Sequence, residues 1–295
     1  MENIEFPNYY QAADKSSLKA QSNYVNILRA DLISMVFASA LSIYNYQNIE
    51  DRSIIYIISG FLLLLSLVLT VVIRTKRYED IWYQGRALAE SCKTLTWRFI
   101  CCSEYFEANL TVLEVKKRFV SRIKELSTEF SELTKNLDSK ILNLPIITPK
   151  MLDIRAKNTL ERKEYYIANR INDQKEWYSN KAEYNIKKYN LWFGIILLSQ
   201  VVALISMVLI IVNPYNNWNI VGLFTTIASS AISWLQLKQH QELKQAYTTA
   251  TQELNFIEAL SEDISTEDEL SRFILDSENA ISREHTMWLA QRRKK

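Results

Sequence analysis

The chain has four glycines in 295 residues and only four prolines. Gly60, Gly194 and Gly222 lie inside uncharged apolar runs, which leaves Gly85 alone outside them. A phosphate-cradling loop of the P-loop or dinucleotide type needs several glycines in one turn, so that chemistry is excluded. Pro7, Pro145, Pro149 and Pro214 fall at joints, and little else interrupts a helix. The two histidines, His240 and His285, have no metal-ligand spacing to a cysteine, and neither a metal nor a cofactor is expected. Cys92, Cys101 and Cys102 are read as packing residues on a side of the membrane where thiols stay reduced. Among 33 Asp and Glu no spacing singles out a paired-carboxylate site, so no catalytic residue and no enzyme activity are expected.

What the chain does carry is two hydrophobic hairpins, one in each half. Residues 54–73 and 191–212 contain no charge and are long enough, at about 1.5 Å per helical residue, to cross roughly 30 Å of hydrocarbon. Residues 220–237 form a shorter, hydroxyl-rich fourth span. Residues 32–46 cover only about 22 Å, so this first span must tilt, thin the bilayer or draw on Arg29 and Gln47 by snorkelling. Links 47–53 and 213–219 permit only antiparallel neighbours. Tyr24 and Tyr184 each lie eight residues before a span, and a polar helix leaves each hairpin at Arg74 and at Lys238. A duplicated module is the economical explanation, with convergent composition as the alternative. The fold class is therefore an all-α membrane protein with two transmembrane hairpins, four spans and long helices outside them. The chain is divided into 1–110, a connecting helix over 111–148, and 149–295.

Basic residues set the orientation. The outer links hold only Arg52, while Arg29, Arg74, Lys76, Arg77, Lys181, Lys187, Lys188, Lys238 and Lys244 lie opposite, which predicts cytoplasmic termini and a cytoplasmic middle segment. No cleavable signal is visible, because the first 30 residues are polar. Outside the spans, Arg74 to Glu107 can continue the second span unbroken. Phe119, Ile123, Leu126, Phe130, Leu133 and Leu137 alternate in steps of four and three, the stepping of a coiled-coil seam. Thr148 and Pro149 mark a helix start, from which Lys150 can lead in one helix to the third span. Thr266 and Glu269 form a capping box. These helices are expected to make a stalk and not a separate globular domain.

The net charge of +2 is uninformative, but its distribution is not. Residues 150–190 hold ten Lys or Arg against six Asp or Glu, a net +4, and residues 238–295 hold eight against eleven, a net −3. Such charges ordinarily solvate and pair helices. The alternative is that Arg155, Arg162, Lys163, Arg170 and Lys175 seat a phosphate-bearing ligand, an oligonucleotide. In the last span Thr225, Thr226, Ser229, Ser230 and Ser233 recur at steps of three and four. Gly222, Thr226 and Ser230 are small-xxx-small steps that favour close packing, while Thr226, Ser229, Ser230 and Ser233 equally suit a wetted pore face. Four helices fill their own core, so a pore requires several chains around an axis.

RINDQKEWYSNKA (Arg170–Ala182), Trp234 with ELKQAYTTATQEL from Glu242, and SREHTMW (Ser282–Trp288) resemble the signature of the SLATT superfamily of bacterial membrane proteins. WYQGRALAESCKTLTWRF (Trp82–Phe99) resembles a second such unit. The resemblance implies a pore-forming ion-channel effector of antiviral defence and abortive infection in the bacterial inner membrane. It would be encoded beside a nucleotidyltransferase or nucleotide sensor and controlled by a nucleotide or oligonucleotide. The double unit resembles effectors of the Hailong type, thought to be homotetrameric channels held closed by an oligonucleotide and opened when infection removes it. Trp177, Tyr178, Lys181 and Trp288 are motif residues that also suit interfacial anchoring among membrane lipids. The rival readings are a non-conducting membrane scaffold and, more remotely, a transporter; the latter is disfavoured because no span centre carries a charge.

Overall fold

In the computed structural model, residues 5–45, 48–215 and 217–293 are described, with side chains of the last helix described to Ser282. Tyr46 and the side chains of His285 and Trp288 lie outside that set. The described residues form helices throughout, with one isolated β-bridge and no strand. Helix α1 spans Asn8–Leu41, α2 Ile49–Lys76, α3 Tyr78–Ile100, α4 Val112–Glu129, α5 Ser139–Leu142, α6 Pro149–Arg155, α7 Thr159–Tyr166, α8 Asp173–Val212, α9 Val221–Lys238, α10 His240–Leu260 and α11 Glu267–Arg293. The chain divides into two units that do not follow chain order. One comprises Met1–Gln21, Glu79–Lys181 and Ala246–Lys295, the other Ser22–Tyr78 and Ala182–Gln245.

The first unit packs around a core of Leu88, Trp97, Phe99, Phe106, Phe119, Ile123, Met151, Tyr166, Leu254 and Ile274. The apolar series of α4 does turn inward, but not onto a two-stranded seam. Phe119 meets Phe99 and Phe106, at ring distances of 4.7 and 5.8 Å. The helix ends at Glu129, and a 3-10 turn at Ser131–Asn136 carries Leu133 into the core. Residues outside the spans thus form a compact unit with its own core, where the sequence suggested a stalk.

Local signals set the helix ends. Thr148 accepts the Met151 amide before Pro149, starting α6 as expected. The run from Lys150 is nevertheless broken, because Asn158 and Glu161 form a reciprocal capping box that starts α7. A π-helical segment, Ile167–Asn172, then leads into α8. At α11 Glu269 accepts the Ser265 and Thr266 amides, which pull its carboxyl down to about 2. A carboxyl lowered on folding stabilises above its unfolded value and loses that contribution as pH falls, so this cap persists until pH approaches 2.

The second unit holds the apolar hairpins. Helices Asn8–Leu41, Ile49–Ile100 and Thr159–Val212 are long and apolar enough to cross a membrane. The 18-residue α9 is not among them. Small and hydroxyl side chains of α8, Ser199, Ala203 and Ser206, are buried, while Leu198, Leu204, Val208 and Ile211 are exposed. That inside-small, outside-apolar arrangement suits a lipid surround. Helix α2 buries no residue at all.

The first span differs from its expected limits. Helix α1 stops at Leu41, and Ile43–Asn45 pair with Asn217–Asn219 across the two hairpin turns. Asn45 N donates to Asn217 O at 2.9 Å and Asn219 N to Ile43 O at 2.7 Å, while Tyr44 and Trp218 meet at 5.0 Å. The bridge satisfies backbone groups that would be costly to leave unpaired beside lipid. A span of about 20 residues ending at Leu41 must take in Asp31 and the backbone of Arg29, whose long side chain snorkels to the interface, so the first span is not charge-free. Asp31, 8% exposed, accepts a hydrogen bond from Ser66 Oγ at 2.5 Å, which ties α1 to the middle of α2.

Both hairpins end in the same way. Arg77, between α2 and α3, and Gln239, between α9 and α10, have φ of 48° and 50°, in the left-handed region. Arg74 to Glu107 is therefore not one unbroken helix. Side chains with a Cβ pay about 1–2 kcal/mol for that conformation and glycine does not. Gln239→Gly is expected to raise stability by about 0.5–1 kcal/mol, read as the thermal midpoint in detergent. A lowered midpoint would contradict a left-handed joint.

Candidate functional site

The hydroxyl-rich face of α9 resolves into two faces. Ala228 and Ala231 are buried. Thr226 Oγ1 lies 3.3 Å from Ser39 Oγ, and a Cβ on Gly222 would meet only that same hydroxyl oxygen, at 3.8 Å. Ser230 is half-buried. The Gly222–Thr226–Ser230 series therefore faces α1. Thr225, Ser229 and Ser233 are exposed and spaced four apart on the adjacent strip, about 60° round the helix. Of the four pore-lining candidates, Ser229 and Ser233 lie on the exposed strip, while Thr226 and Ser230 do not.

The five basic candidates do not converge on one seat. Arg155 donates to the carbonyls of Phe99 and Phe106, both at 2.7 Å, and of Glu107 at 3.0 Å. Arg162 makes a bidentate pair with Glu267 at 2.7 and 2.6 Å. Lys163 donates to the Glu262 and Ile264 carbonyls, and Lys175 pairs with Glu258. Arg170, in the π-helical segment, is 1% exposed and holds Glu278, 0% exposed, through two 2.8 Å bonds. Burial alone would lower the Arg170 pKa, but the charge and hydrogen bonds of Glu278 raise it. The Arg162, Arg170 and Lys175 contacts are pairs between the basic and acidic stretches, whereas Arg155 and Lys163 bond backbone carbonyls.

Around that pair lies a polar interior that the sequence did not disclose. Tyr166 Oη and Thr94 Oγ1 also donate to Glu278, at 2.9 and 2.8 Å, while Arg170 Nη1 has no hydrogen-bond partner among the described residues. Lys93 is nearby, and burial together with the Arg170 charge lowers its pKa. One signal was available: Leu270, Ile274, Glu278 and Ile281 step by four and three, so a carboxylate occupies an inward position of an apolar series. Cys92, Cys101 and Cys102 are buried and free, and burial pushes the Cys92 thiol up to about 12, which leaves it unreactive. Trp177, Tyr178 and Tyr247 form an aromatic cluster, with Lys181 Nζ 5.7 Å from the Trp177 ring.

Two family matches cover nearly the whole chain. Residues 7–163 match the SMODS and SLOG-associating 2TM effector domain 3, and residues 166–288 match the SMODS and SLOG-associating 2TM effector domain 1. No curated protein and no solved structure matches the chain. The apolar helices, the small-inside packing of α8 and the tandem match agree on one conclusion: the chain is a helical membrane protein that belongs to the SLATT family of two-transmembrane effector domains, carrying two such domains in succession.

Proposed function

We propose that the protein is an oligomeric, non-enzymatic ion-channel effector of bacterial antiviral defence, gated through its helices outside the membrane by a nucleotide or oligonucleotide signal. The observation that carries this reading is the exposed Thr225, Ser229 and Ser233 strip of α9. An outward hydroxyl face in a membrane helix is matched by water or by another chain more readily than by lipid. Copies arranged around an axis turn these faces inward. A homotetramer, as in the Hailong type that the chain resembles, is the assembly proposed, with four spans per chain and termini on the basic, cytoplasmic side. The left-handed joints at Arg77 and Gln239 offer a route from α3 and α10 to α2 and α9. Signal binding would act on the unit that contains the paired Arg and Lys residues. Of the five basic candidates, Arg155, Lys163 and Lys175 are partly exposed, where a phosphate reaches them without breaking the Arg170–Glu278 pair.

Purified protein in planar bilayers is expected to give discrete currents that change on adding or removing oligonucleotide. Ser229→Leu or Ser233→Leu should abolish the current while leaving the oligomer mass unchanged. Wild-type protein that carries no current under either condition favours the scaffold reading instead. Leucine variants that lose the oligomer assign this face to packing.

A further inference from the structure

Between α1, α8 and α9 the second unit contains a slot of about 370 Å³, lined by Leu32, Val36, Trp192, Ile227 and Trp234, with Arg29 at one end. Three observations specify its occupant. First, the walls are apolar side chains, and they run along α9 from Trp234 to Ile227, about 10 Å at helical rise. That covers most of one leaflet of a 30 Å core, or about 15 Å. Second, Trp192 and Trp234 meet at 5.9 Å at the end of the slot nearer the basic side. Paired indoles are the usual markers of headgroup depth. Third, the positive charge sits at that same end: Arg29 Cζ lies 5.5 Å and Lys238 Nζ 5.0 Å from the Trp234 ring centroid. Arg29 forms no ion pair with a described residue.

We infer that the slot holds one acyl chain of an anionic phospholipid whose phosphate is bound by Arg29 and Lys238. An apolar channel that covers most of one leaflet, with interfacial tryptophans and two cations at its mouth, matches that molecule at both ends. A free phosphate or nucleotide leaves the apolar walls unmatched, and a zwitterionic lipid makes poorer use of the cations. The inference concerns only the membrane unit and does not depend on conduction.

Native mass spectrometry of the full chain, titrated separately with phosphatidylglycerol and phosphatidylcholine, tests it. Wild type is expected to bind phosphatidylglycerol preferentially. Arg29→Gln combined with Lys238→Gln should weaken phosphatidylglycerol binding roughly thirtyfold and remove the preference. Val36→Phe should fill the slot and reduce both lipids. A charge variant that retains the preference, or a wild type without one, overturns the phospholipid assignment. A folded Val36→Phe with unchanged lipid binding places the lipid elsewhere and overturns the site. If Val36→Phe does not fold, the charge variant alone decides, because both of its positions lie at the mouth.

Discussion

Arg170→Ala is expected to destabilise the first unit by about 3–5 kcal/mol and to lower its melting temperature by on the order of 10 °C. The guanidinium is the counter-ion of Glu278, and both groups are essentially unexposed. Removing the arginine leaves a buried carboxylate with only the Tyr166 and Thr94 hydroxyls. Uncompensated buried charge is the costly outcome, whereas an apolar pair of similar volume is nearly neutral. Arg170→Met with Glu278→Leu should therefore recover most of the loss. By contrast, Lys15→Ala removes an exposed pair with Asp138 and should change stability by about 1 kcal/mol or less. Thermal unfolding in detergent, with limited proteolysis to localise the change, separates these cases. An Arg170→Ala protein that melts with wild type would show that the pair does not hold the unit together.

The second large effect is expected at Gly85. In an exposed helix, Gly→Ala gains about 1 kcal/mol of helix propensity. Here the sign should reverse, because a Cβ would stand 3.0 Å from Ser17 Cβ, 3.1 Å from Ala13 O and 3.1 Å from Ser17 N. Two of those atoms belong to the backbone of α1 and cannot rotate away. Ala12, Ala13, Ser16, Ser17 and Ala20 are all buried on that helix, and Ser17 Oγ donates to Trp82 O at 2.9 Å, so α1 and α3 meet through small residues. Gly85→Ala should cost about 1–2 kcal/mol and Gly85→Leu about 3 kcal/mol or more, measured as the shift in melting temperature. A stabilised Gly85→Ala would refute the close approach.

The hairpins were legible in the sequence because a bilayer imposes a length and a polarity on consecutive residues, which composition along the chain records directly. Residues 54–73 and 191–212 could be placed for that reason. The caps at Thr148–Pro149 and Thr266–Glu269 were legible because their contacts span only a few residues. The solitary Gly85 was conspicuous, although its purpose was not.

The remaining features depend on partners distant in the chain. Arg170 and Glu278 are 108 residues apart, and only folding turns a basic stretch and an acidic stretch into specific pairs. The first span was read from Leu32 and needed tilt, a thinner bilayer or snorkelling to cross; Ser66, supplied by another helix, satisfies the Asp31 carboxylate and lets the span begin earlier. The capping box at Asn158 broke a helix that apolar and basic periodicity would have continued. The α9 hydroxyls were visible as a group, but α1 decided which of them pack and which remain outward. Residues 54–73 and 191–212 are recorded as membrane segments along the chain alone, because length and polarity act residue by residue. Tertiary structure decided which charges and hydroxyls remain available for function, because burial and pairing belong to contacts between helices.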